Sequence, residues 1–143
     1  MKNPFPFELL PIHAKFLAIS IADHVNKNFP LELDYSAGSL SLIDGFIVQM
    51  RSNEYPEEQI VKTLYCLGAY VGEVIIKSLG GQWKNEIDFF EPQMKNRPLI
   101  VGMPNGAKGD PIEKVLDFYE DESAQSLTEF YEVFSIVSSV YAE

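Results

Sequence analysis

A chain of 143 residues, 46% hydrophobic and 13% aromatic, is long enough to bury a real core and too apolar to be disordered. Its net charge of −10, from 21 acidic against 11 basic residues, argues against nucleic acid and anionic membrane surfaces as partners, because both attract basic patches. The lone Cys66 excludes an internal disulfide and a cysteine-based zinc centre.

The N-terminal stretch MKNPFPFELLP carries one lysine, two early prolines and no small-residue cleavage site, so it reads as a poor signal peptide. No apolar run approaches the length that spans a bilayer, and a cytoplasmic protein is expected. Phe5, Phe7, Leu9 and Leu10 would cover either a second subunit or the domain's own surface, so monomer and homodimer both fit. Pro11 opens a first helix to about Asn28, with Leu17, Ile21 and Val25 recurring every four residues. Pro30 stops it, and LELD (31–34) alternates apolar and acidic residues like a short strand. Ser36 suits the N-cap of a second helix that carries Leu40, Ile43, Ile47 and Met50 on one side, with Gly45 as a weak spot.

The most informative segment is PEEQIVKTLYCLGAYVGEVIIKSLGG, residues 56–81. Pro56 suits the first turn of a helix that is apolar on almost every side and therefore buried. Gly68 and Gly72, four apart, predict a smooth groove against which another element packs closely. Gly80 and Gly81 predict a left-handed cap. Trp83–Phe90 and Pro98–Met103 then read as two strands joined by the short connection EPQMKNR. Asp110 and Pro111 open a fourth helix through Val115, Leu116 and Tyr119, which Glu120, Asp121 and Glu122 end. A last helix carries Leu127, Phe130, Phe134 and Val137. No linker or repeat divides the chain, so residues 1–143 form a single domain. The expected fold is α+β and mostly helical, with a buried central helix packed beside a small antiparallel sheet of two or three strands.

Tyr70, Gly72, Glu73, Gly81 and Trp83, followed by Pro111, Lys114, Val115, Ser126, Phe130 and Tyr131, form two segments, YLGE…GG.W-like and P..KV…dS…FY-like. Over residues 34–134 the chain resembles a family of small bacterial proteins known only as a domain of unknown function. The resemblance implies a bacterial, cytoplasmic single domain and carries no activity, cofactor or catalytic residue. Ile112 departs from it, standing where that family has an aromatic.

Candidate chemistry is sparse. His13 and His24 lie about 16 Å apart along one helix and cannot share a metal ion. GMPNGAKG, Gly102–Gly109, nearly fits a phosphate loop. However, Ala107 replaces the second glycine, Gly109 replaces the Ser/Thr that holds magnesium, and Pro111 removes an amide. A glycine-dependent tight turn is the simpler reading. No cofactor or metal motif stands out. Glu73, on a buried helix, needs a partner or a raised pKa. It serves either to fasten the helix to the following strand, with Arg97 or Lys84 as partner, or as a general base in a cleft beside Tyr70 and Trp83. Glu113, Asp117, Glu120, Asp121 and Glu122 (with Glu129 and Glu132) form the other candidate, a negative surface for a basic protein. The leading expectation is therefore a non-enzymatic interaction domain, immunity- or inhibitor-like, with a basic partner. The alternative is a small-molecule-binding or hydrolytic protein with a cleft near Glu73.

Overall fold

A computed structural model describes residues 1–85 and 99–140. Helix α1 spans Pro11–Asn28, and a 3-10 turn at Ala37–Ser39 leads into α2, Leu40–Ser52. Helix α3 covers Glu57–Leu79, followed by strands β1 (Gln82–Lys84), β2 (Ile100–Gly102) and β3 (Lys108–Gly109). Helices α4 (Pro111–Glu120) and α5 (Leu127–Val140) complete the chain. The sheet runs β1-β2-β3, antiparallel throughout, with Trp83 opposite Val101 and Val101 opposite Gly109.

Helix α3 is the spine. Its residues Leu64, Leu67, Ala69, Tyr70, Val71, Val74 and Ile75 are fully buried because α1 covers one flank and α4 the other. Pro56 stands just before the first turn, and Ile60 N–H donates to its carbonyl at 3.1 Å. By length and composition alone α3 is long and apolar enough to cross a membrane: it has 23 residues and an 18-residue window of mean hydropathy 1.3. That corrects the expectation that no segment reaches this length, because a few polar residues do not prevent a helix from qualifying. In this fold 67% of that window is buried inside the protein.

The apolar stripe of α2 goes inward as expected, through Leu40, Ile43, Ile47 and Met50. Ser36 caps the 3-10 turn, its Oγ accepting from Ser39 N–H at 3.2 Å. Leu31–Asp34 is not a strand among the described residues. The Asn26 side chain takes a strand's place instead, accepting from Leu33 N–H at 2.8 Å and donating to Leu33 C=O at 3.4 Å. Part of the N-terminal segment covers the domain's own core: Leu9 is buried, Phe5 stands edge-on to Tyr65, and Tyr65 Oη donates to Met1 C=O at 3.0 Å, while Phe7 and Leu10 stay exposed.

Two contacts from α2 set the last two helices. Asp44 caps α5, Oδ1 accepting from Leu127 N–H at 2.8 Å and Oδ2 from Thr128 N–H at 3.2 Å. Arg51 caps the C-terminal end of α4, donating from Nε to Tyr119 C=O at 3.2 Å and from Nη2 to Phe118 C=O. Both charges match the helix ends they meet, a carboxylate at an N-terminus and a guanidinium at a C-terminus.

Candidate functional site

The glycine groove of α3 is occupied on both steps. A Cβ at Gly68 would lie 2.6 Å from Ile112 Cα, so α4 packs directly on the backbone there. A Cβ at Gly72 would lie 2.1 Å from Trp83 Cζ2 and Cη2, so the indole rests across the helix at this point. The same ring donates from Nε1 to Glu73 Oε2 at 2.7 Å. Gly80 turns the chain back at φ 83, its N–H donating to Ile76 C=O at 2.9 Å. Gly81 then passes so close to β2 that a Cβ would sit 2.8 Å from Val101 Cγ1 and Met103 Sδ. Gly72, Glu73 and Trp83 thus form one clasp that locks the end of α3 to β1, while Gly68 seats α4 and Gly81 seats β2.

Glu73 is half-buried, and among the described residues it accepts from the Trp83 indole. Lys84, a predicted partner, makes no ion pair with it among the described residues. Arg97, the other, lies outside the described residues, as do the end of the predicted first strand and its connection.

Tyr70, one turn before Glu73, is fully buried. Its hydroxyl accepts from Tyr35 N–H at 2.9 Å and lies 2.7 Å from Ser39 Oγ. Ser39 Oγ donates onward to Ser36 C=O at 2.6 Å, so Tyr70 is the donor to Ser39. Burial pushes the Tyr70 phenol above its ordinary pKa, so it stays protonated and keeps donating. This bracket holds Tyr35 at φ 64, a left-handed conformation that costs a non-glycine residue on the order of 1 kcal/mol. The Tyr35 ring lies 4.8 Å from that of Tyr70, tilted by 33°. Its own pKa is raised, by burial first and then by Tyr70, Glu73 and Asp23. Of the predicted binding set, Glu73 and Trp83 meet directly, while Tyr70 meets Tyr35 and Ser39, and the Glu73 charge reaches Tyr35. Tyr70 and Trp83 act there as structural ties.

The second candidate is the outer face of α4. Ile112, Val115, Leu116 and Phe118 are buried, which leaves Glu113, Asp117 and Glu120 exposed along the opposite side. At 1.5 Å per residue that row is about 10 Å long, and exposed Asp121 and Glu122 extend it. Asp121 is held below the usual carboxylate range by the hydroxyl and N–H of Ser123, with Arg51 adding to the effect. Lys114, within the same helix, turns over the Phe130 ring at 5.7 Å rather than into the row. The outer face of α5 begins with exposed Glu129 and Glu132 and continues with Val133, Ile136, Val137 and Val140, which are 41–67% exposed.

Other motifs resolve as structure. GMPNGAKG is a hairpin turn between β2 and β3, with Gly106 at φ 94. Met103 N–H donates to Ala107 C=O at 2.8 Å and Gly106 N–H to Met103 C=O at 3.0 Å, so amides a phosphate would need are already used. His13 Nδ1 accepts from Leu10 N–H at 3.0 Å at the start of α1. Among the described residues no group of His, Cys, Asp and Glu side chains could hold a metal ion. Cys66 is half-buried, and burial pushes its thiol up to about 11, which makes it a poor nucleophile. The sequence signal for Asp44 and Arg51 is two opposite charges seven residues apart, beside the buried stripe of an amphipathic helix.

No family model, no curated protein and no solved structure matches the chain.

Proposed function

We propose that this chain is a non-enzymatic protein-interaction domain of the bacterial cytoplasm, inhibitor- or immunity-like, which docks a basic protein on the outer face of α4. The observation that carries the reading is the exposed row Glu113, Asp117 and Glu120, continued by Asp121 and Glu122. Stable interfaces combine an apolar centre with a polar rim. The exposed valines and Ile136 of α5, preceded by Glu129 and Glu132, offer such a mixture on the helix that packs beside α4. Each exposed carboxylate contributes little by itself, but several of one sign steer a cationic partner and make its binding sensitive to salt. Bacterial origin rests on the sequence resemblance.

The competing reading, a cleft chemistry centred on Glu73, has less support. One carboxylate oxygen already accepts from Trp83, and Tyr70 is wholly buried.

The test is capture from a native lysate on the immobilised chain, followed by a rising salt gradient. A single basic protein should elute, and the triple variant Asp117→Asn, Glu120→Gln, Glu122→Gln should retain about tenfold less of it. Equal retention by that variant, or recovery of acidic proteins alone, would refute the assignment.

A further inference from the structure

Where α1, α2 and α3 meet, the surface opens into a cleft of about 210 Å³. Its walls have three kinds of residue, and each restricts what fits. Ile21, Met50 and Ile60 are apolar lining residues, only 7%, 6% and 9% exposed. The aromatic lining consists of Phe46, which meets Phe29 edge to face at 5.5 Å, with Phe29 itself and Tyr55 39% and 47% exposed. Large apolar residues left this open around a sheltered apolar lining are a surface that gains from being covered.

The polar lining comes from His24, Tyr55, Gln59 and Thr63. Thr63 Oγ1 donates to Gln59 C=O at 2.9 Å and keeps its lone pairs free to accept. The Tyr55 hydroxyl and the Gln59 side-chain amide have no hydrogen-bond partner among the described residues. Neither lysine, arginine nor a carboxylate lines the cleft. A cavity of about 150 Å³ holds one benzene ring, so this one takes roughly eight or nine non-hydrogen atoms. Rings at the wall favour an aromatic guest, since edge-to-face pairs add to simple burial, and the Met50 thioether is a further favourable neighbour.

We infer that this cleft is a binding site for a neutral, single-ring aromatic small molecule with a hydrogen-bonding substituent. It is separate from the acidic face of α4, and its failure would leave the docking assignment untouched. The ring lies against Ile21, Met50 and Ile60, and the substituent pairs with the Gln59 side-chain amide.

The test is a two-dimensional amide NMR titration of the full chain with p-cresol. Saturable shifts should cluster in residues 21–29, 46–50 and 55–63. Benzylamine, with the same ring but a charge, should bind several-fold more weakly, because no carboxylate lines the cleft and the attraction of the ammonium to the wall rings only partly offsets its lost solvation. Gln59→Ala, at an exposed position, should weaken p-cresol about fivefold, and Thr63→Phe should abolish the shifts by filling the space. Shifts that stay linear, that map elsewhere, or that persist unchanged in Gln59→Ala would overturn the site. Gln59→Ala decides the matter if Thr63→Phe does not fold.

Discussion

Replacing Gly72 by alanine is a sharp test of the clasp. The new methyl carbon would stand 2.1 Å from two atoms of the Trp83 ring, where contact requires about 3.5 Å. The helix backbone is held on all sides, so the ring must leave. Re-exposing about half of an indole's roughly 200 Å² costs about 2–3 kcal/mol at roughly 25 cal/mol per Å². Losing the bond from Nε1 to Glu73 adds about 1 kcal/mol. Alanine's better helix propensity returns about 0.5–1 kcal/mol. The net expectation is a loss of about 2–3 kcal/mol by urea denaturation. Gly45→Ala is the control, because nothing lies within 4 Å of its added Cβ. It should stabilise by about 0.5–1 kcal/mol. Trp83 is the chain's single tryptophan, so its emission reports the ring's fate directly and should shift to the red in Gly72→Ala. In a Trp83→Ala background Gly72→Ala should cost nothing, since the clash is gone. Undiminished stability with unshifted emission in the single variant would refute the reasoning.

Three further outcomes follow from the same geometry. Asp44→Ala should cost about 1–2 kcal/mol by thermal or urea melting, because both carboxylate oxygens serve the first turn of α5. Arg51→Met should lower stability by about 1 kcal/mol or more, since it leaves the last carbonyls of α4 unpaired while the side-chain stem still packs on Phe118. Burial pushes the Tyr65 phenol from an ordinary value near 10 up to about 12, with Glu113 and Asp110 adding to the rise. The unfolded chain therefore loses that proton first. Stability from this group is complete below pH 10 and falls as pH climbs towards 12, and Tyr65→Phe should flatten that part of the profile.

The sequence made the helices legible because each has one strong periodic signal: the stripe Leu40, Ile43, Ile47 and Met50, or the all-round apolarity of α3. The Gly68 and Gly72 pair was equally readable, since glycine inside a helix costs stability unless something sits against it. Leu31–Asp34 misled because alternation measures which side chains are wet, not what pairs with the backbone. Asn26, from a different element, supplies that pairing. Glu73 was correctly singled out as a carboxylate in apolar company. Lys84, one of the two cations expected to meet it, makes no ion pair with it among the described residues, and a tryptophan N–H ten residues away hydrogen-bonds it instead. Neither the Asp44 and Arg51 caps nor the cleft at α1, α2 and α3 was visible, because each depends on how helices distant in sequence cross.

The central claim is that Glu73 serves the fold while the carboxylates of α4 serve the partner. Glu73→Gln tests it in one preparation, with unfolding free energy and partner capture measured together. The amide keeps an oxygen for the indole, so a loss of about 1 kcal/mol in stability with undiminished capture is expected. Intact stability with capture lost would place the binding chemistry at Glu73 and contradict the account.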